Sequence, residues 1–174
     1  MITNAHLVHQ PKDSKRYANA AVSHAKILCQ EKGAKLTPTR EAVLDILWQS
    51  RCPQGAYQVQ EQLSKTLGKK IAPPTVYRAL EFLLSLGLIH RISSLNAYIG
   101  CPFPKSIQSN LFMICDNCGT TAQVIHYPLN EILQKISDKT SFKLESQSIE
   151  LIGLCPLCNA ANDNNNNKEK ATHD

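Results

Sequence analysis

Pro73-Pro74-Thr75-Val76-Tyr77-Arg78-Ala79-Leu80-Glu81-Phe82-Leu83-Leu84-Ser85-Leu86-Gly87 opens on two prolines and closes on a glycine. Proline suits the first turn of a helix, where its missing N–H has no partner to lose, and glycine suits the residue that stops one. Between them Val76, Leu80, Leu83 and Leu84 recur at helical spacing and form an apolar face. Tyr77 and Arg78 stand near the start of this helix.

Upstream, Thr37-Pro38 supplies an N-cap residue followed by a first-turn proline, opening a helix with Val43, Leu44, Leu47 and Trp48 on one face. Cys52-Pro53-Gln54-Gly55 ends it. A further helix from Tyr57 to Leu67 sets Val59, Leu63 and Leu67 at i, i+4 and i+8 and stops at Gly68. Ala20 to Glu31 reads as an additional helix before these. Downstream of Gly87, residues 88–92 and 97–99 flank Ser93-Ser94-Leu95-Asn96 and read as a short hairpin. Three helices followed by a hairpin make a winged helix-turn-helix, whose third helix suits the major groove and whose hairpin lies beside the backbone.

The character changes at Cys101-Pro102-Phe103-Pro104-Lys105, where two prolines resist both helix and central strand. Beyond it, residues 111–115 and 123–127 read as strands around a Cys-Asp-Asn-Cys-Gly turn. Leu129, Ile132, Leu133 and Ile136 mark a helix after Pro128. A long strand is expected over 142–153; its apolar parity changes within Ser146-Gln147-Ser148, which a bulge would explain. The expected fold class is α+β, with a winged-helix domain at 18–100, a hinge at 101–105 and a small α/β domain at 106–158. Residues 1–17 are expected to be a flexible N-terminal segment and the Asn-rich residues 159–174 a disordered tail.

The net charge of +5 over 174 residues is unevenly spread. Residues 15–92 hold twelve Lys/Arg against five Asp/Glu, whereas residues 93–174 hold six against eight. The first half is therefore the one suited to a polyanion. Residues 1–15 do not read as a targeting segment and no stretch is apolar enough to span a membrane, so the expected location is the cytoplasm. In that reducing compartment the seven cysteines are thiols or metal ligands.

Cys115-x-x-Cys118 and Cys155-x-x-Cys158 are two thiol pairs separated by 36 residues. Four thiolates complete a tetrahedral zinc shell with no open position, which makes a structural site. A redox dithiol is the competing reading, but a catalytic CxxC usually precedes a helix, and neither pair is expected to do so.

In combination, these motifs resemble the ferric uptake regulator family. The carriers are Pro73 to Leu83 as recognition helix, Leu36-Thr37-Pro38-Thr39-Arg40, the turn Gly87-Leu88-Ile89-His90-Arg91, Cys115-Asp116-x-Cys118-Gly119, and Gly153-Leu154-Cys155-x-x-Cys158. The resemblance covers about residues 18–158. It implies a homodimer that binds inverted-repeat operator DNA, a dimerisation domain with a structural zinc, and no enzyme activity. Tyr77 and Arg78 are the expected base contacts, and Arg40, Lys69 and Lys70 are candidate phosphate contacts. His90 and Cys101 resemble part of the sensing site of the family's zinc uptake branch. The positions of the remaining His and Glu hold Gln108 and Gln123, and amides are poor zinc ligands. Either His126, Glu145 or another residue completes the site, or sensing is altered.

The expected function is a zinc-responsive transcriptional repressor with DNA and a second copy as partners, and neither a membrane nor a small-molecule substrate. Alternatives are a regulator of the same fold sensing another metal or peroxide, a CxxC thiol-disulfide oxidoreductase, and a zinc-ribbon interaction module. The thiolate of Cys101 argues against harder ions.

Overall fold

The structure, a computed structural model, describes residues 5–8, 14–50, 52–101, 110–145 and 147–162. They fall into two compact units, one of residues 10–107 and one of residues 1–9 with 108–174.

The first unit contains α1 (Ser14–Glu31), α2 (Pro38–Gln49), α3 (Ala56–Leu67) and α4 (Pro73–Ser85). Three strands accompany them: β2 (Gln54–Gly55), β3 (Ile89–Ile92) and β4 (Ala97–Gly100), in the order β2-β4-β3. Local chemistry sets the helix ends. The Thr37 hydroxyl accepts the Arg40 amide at 3.4 Å, capping α2 ahead of Pro38. The Gln58 side chain accepts the Gly55 amide at 2.8 Å at the start of α3, and Gly68 ends that helix at φ 63°. The apolar faces then meet: Val43, Leu44 and Leu47 of α2, Val59 and Leu63 of α3, and Val76, Leu80 and Leu83 of α4 form one buried cluster. Gly100 lies against Trp48, closely enough that a Cβ there would stand 2.7 Å from the indole.

The expected hairpin is present as β3 and β4, in antiparallel register with His90 opposite Ile99. α2 does end ahead of Cys52 to Gly55, and Gln54 and Gly55 in addition pair with Tyr98 and Ala97 as a third strand. One expectation changes. Helix α1 begins at Ser14, so the helical part extends into the segment expected to be flexible.

Among its described residues the second unit has a four-stranded sheet in the order β1-β6-β5-β7, one long helix and a short helical stretch at residues 156–162. Its strands are β1 (Ala5–Val8), β5 (Asn110–Cys115), β6 (Thr121–His126) and β7 (Ser148–Gly153), and α5 spans Tyr127–Lys139. β1 pairs antiparallel with β6, Leu7 opposite Val124, so residues 5–8 are an edge strand and not a flexible segment. An edge strand needs only backbone pairing, which leaves little periodicity to read. β7 pairs in parallel with β5, Cys115 opposite Gly153.

The long strand expected over 142–153 is also corrected. The Phe142 amide bonds to the Ser137 carbonyl at 3.0 Å at the end of α5, and strand pairing begins only at Ser148. The change of apolar parity marks this connection and not a bulge. Residues 156–162 are helical, reaching past the expected start of the tail; residues 163–174, and 102–109 of the hinge region, lie outside the described residues.

Candidate metal centre and nucleic-acid interface

The end of β5, the turn after it and the end of β7 converge on one point. The parallel pairing sets Gly153 beside Cys115, and the Asp116 amide donates to the Gly153 carbonyl at 2.8 Å. The chain therefore enters Cys155 next to the first cysteine pair, and the Cys155 amide donates to the Sγ of Cys115 at 3.3 Å. The turn is closed by Cys115 N–H to Thr120 O and Gly119 N–H to Cys115 O, both 2.9 Å. The sulfurs of Cys115, Cys118, Cys155 and Cys158 all lie within 4.8 Å of one another, and Cys118 and Cys155 are 3.8 Å apart. A tetrahedron with Zn–S bonds of about 2.3 Å has edges of about 3.8 Å. The donor set and its spacing fit that ion.

Electrostatics favour a cation at the same place. Amides of Cys155 and Cys118 pointing at Cys115 bring its thiol down to about 6, and Thr120 lowers that of Cys118 through its hydroxyl at 3.2 Å. Crowding against Cys155 instead pushes Cys158 up to about 12. Four thiolates this close ionise together only around a positive ion.

Contrary to the expectation from sequence, one of the two cysteine pairs precedes a helix. Cys155-Pro156-Leu157-Cys158 does open a helical stretch, residues 156–162, as a catalytic CxxC would. What opposes the redox reading is the convergence of four sulfurs, since a dithiol enzyme requires two. Thr120 is a functional residue with no motif of its own; its place in the metal turn, two residues after Cys118, is the signal the sequence offers for it.

In the first unit Tyr77 and Arg78 lie on the exposed side of α4, Tyr77 41% accessible beside the fully buried Val76. Lys69 and Lys70 are exposed in the turn before α4. Arg40 is half-buried: its guanidinium donates to the Lys35 carbonyl at 2.6 Å and stacks 3.4 Å from the ring centre of Phe82.

His90 and Cys101 belong to the wing. The Cys101 amide donates to the Leu88 carbonyl at 2.9 Å, extending the β3–β4 ladder by one bond. Strand alternation then sets His90 and Cys101 diagonally on one face. Cys101 is buried, and burial lowers the His90 imidazole to about 4, so it is neutral near pH 7. Gln123 lies in the other unit, 7% accessible on β6, beside Phe112 of β5. Glu145 is exposed and ion-paired with Lys143 at 3.2 Å. Gln108 and the side chain of His126 lie outside the described residues. Among the described residues, the four cysteines are the only cluster of three or more His, Cys, Asp or Glu side chains able to share an ion.

Fold and centre together define a winged-helix protein with a companion sheet domain built around four thiols. The model of the ferric uptake regulator family matches residues 31–152, and the chain belongs to that family. It is 32% identical over 138 residues to the zinc uptake regulation protein of Escherichia coli (strain K12), covering 79% of this chain and 80% of that protein. The peroxide operon regulator of Bacillus subtilis (strain 168) is 30% identical over 133 residues, 74% of this chain and 87% of that one. A solved zinc uptake regulator complexed with zinc and DNA superposes with a TM-score of 0.79 at 29% identity, covering 84% of this chain and 97% of that one. No helix among the described residues is long and apolar enough to cross a membrane.

Proposed function

We propose that this chain is a zinc-dependent and zinc-responsive transcriptional repressor that binds operator DNA as a homodimer in the cytoplasm and carries no enzyme activity. The observation that carries the reading is the joining, in one chain, of a winged helix with Tyr77 and Arg78 facing outward to a unit closed by four convergent thiols. Arg78 offers a fork of donors to guanine, and Tyr77 an apolar ring with a polar tip to a thymine methyl or a phosphate. Met113 and Leu151, paired across β5 and β7, leave apolar surface on one face of the sheet of the second unit, suited to a second copy. Zinc at the four thiols is structural. The regulatory ion is assigned to His90 and Cys101 with further groups, and it acts by binding the DNA-competent shape more tightly.

The reading is supported by the zinc-and-DNA complex of a relative with this fold. Sensing of peroxide is the second reading, favoured by the 30% identity to a peroxide operon regulator. Cys101 on the His90 face favours zinc, because a thiolate suits it better than harder ions. Zinc content per chain, measured beside the affinity for a duplex selected by the protein from a random library over buffered free zinc, tests the proposal. More than one ion per chain and affinity rising with zinc are expected; one ion and flat affinity overturn zinc sensing.

A further inference from the structure

Arg40 opens α2 and Phe82 lies in the third turn of α4, yet the two side chains are stacked. The guanidinium carbon is 3.4 Å from the ring centre, and Nη1 donates to the Lys35 carbonyl at 2.6 Å. One face of the guanidinium is thereby covered by the ring, and one end is fastened to the backbone just before the helix. Phe82 is the i+4 neighbour of Arg78 on the same helix, so a clamp on Phe82 fixes the roll that aims Arg78. The helix has few other polar ties: its N-cap, Ala72, makes no side-chain capping bond, and apolar packing resists rotation less specifically than a directed contact.

We infer that Arg40 is a positioning residue for the reading helix, acting through Phe82, and not a phosphate contact. The inference rests on the DNA-binding reading above and gives a different role to a residue whose charge alone suggests a backbone contact. Arg is suited to this role because it is planar and can stack while donating from its edge; Lys cannot do both.

The test uses the full zinc-loaded chain with two probes, a duplex selected by the wild type from a random library and a random duplex of equal length. Arg40→Lys, Arg40→Ala and Phe82→Leu are each expected to weaken binding to the selected duplex by roughly two- to fivefold. The slope of log affinity against log salt is expected to stay at the wild-type value, and the Arg40→Ala/Phe82→Leu double variant is expected to be no weaker than either single one. Phe82→Tyr, which keeps a ring face, should keep wild-type affinity, and it guards against loss by misfolding. The inference is overturned if Arg40→Lys binds like wild type, or if Arg40→Ala lowers the slope by about 0.9 per half-site while Phe82→Leu changes nothing. A wild type that selects no sequence would instead overturn the DNA-binding reading itself.

Discussion

The backbone amide of Cys155 donates to the Sγ of Cys115 at 3.3 Å, joining residues 40 apart in sequence. That bond exists because β7 lies parallel to β5, and it makes the metal centre a clasp between the sheet's middle and an edge. Cys155→Ser is expected to lose the structural zinc and, with it, the folded second unit and the dimer, since ion binding of on the order of 10 kcal/mol is shared with folding. Metal analysis and sedimentation decide it; a stable zinc-free dimer counts against the assignment.

Arg78→Ala should lower affinity for the selected duplex by roughly 1–3 kcal/mol per half-site, and Lys70→Ala should weaken all sequences about equally. Both side chains are exposed, so thermal stability should not change. An equal loss of selected and random duplex binding for Arg78→Ala would exclude base reading by Arg78.

For the sensor, Cys101→Ala should abolish the response of DNA binding to zinc while the four-thiol ion stays in place. Titration of DNA binding against buffered zinc decides it. A wild-type response in Cys101→Ala removes the wing from the sensing site.

His90 titrates near 6.5 when unfolded and at about 4 in the fold, where burial disfavours its charge. Between those values the unfolded chain binds more protons, so stability is complete above pH 6.5 and is lost as pH falls toward 4. A lowering of that size corresponds to about 3 kcal/mol at most. Trp48, the single tryptophan, is buried in α2, so its fluorescence follows this unit alone during urea unfolding. His90→Gln should flatten the dependence in that window; an unchanged slope would assign it to other groups.

Gly100→Ala should destabilise the winged-helix unit by about 1–3 kcal/mol, because the new Cβ meets the Trp48 indole at 2.7 Å and the ring is enclosed. Trp48 emission and the midpoint of its unfolding curve report the change. A variant as stable as wild type would mean that the indole can yield without cost.

The helical half was legible from residues 36–87 because its signals are local. Thr37-Pro38, the i, i+4 apolar spacing of Val59 and Leu63, and the stop at Gly68 each act within one or two turns of their own chain. The four cysteines were legible for a different reason, since two paired CxxC turns supply the four thiolates that close a tetrahedral zinc shell. Tertiary structure alone decided what depends on distant pairing. The two-residue β2 and the edge strand β1 are held by backbone bonds to β4 and β6, which any side chains permit. The break after Phe142 is not visible in the sequence because parity shows that a face changes, not whether pairing continues through the change. The stacking of Arg40 on Phe82 likewise required α2 and α4 to be packed first: charge and motif placed Arg40 near DNA, whereas only the packed fold brings its guanidinium over an aromatic ring 42 residues away.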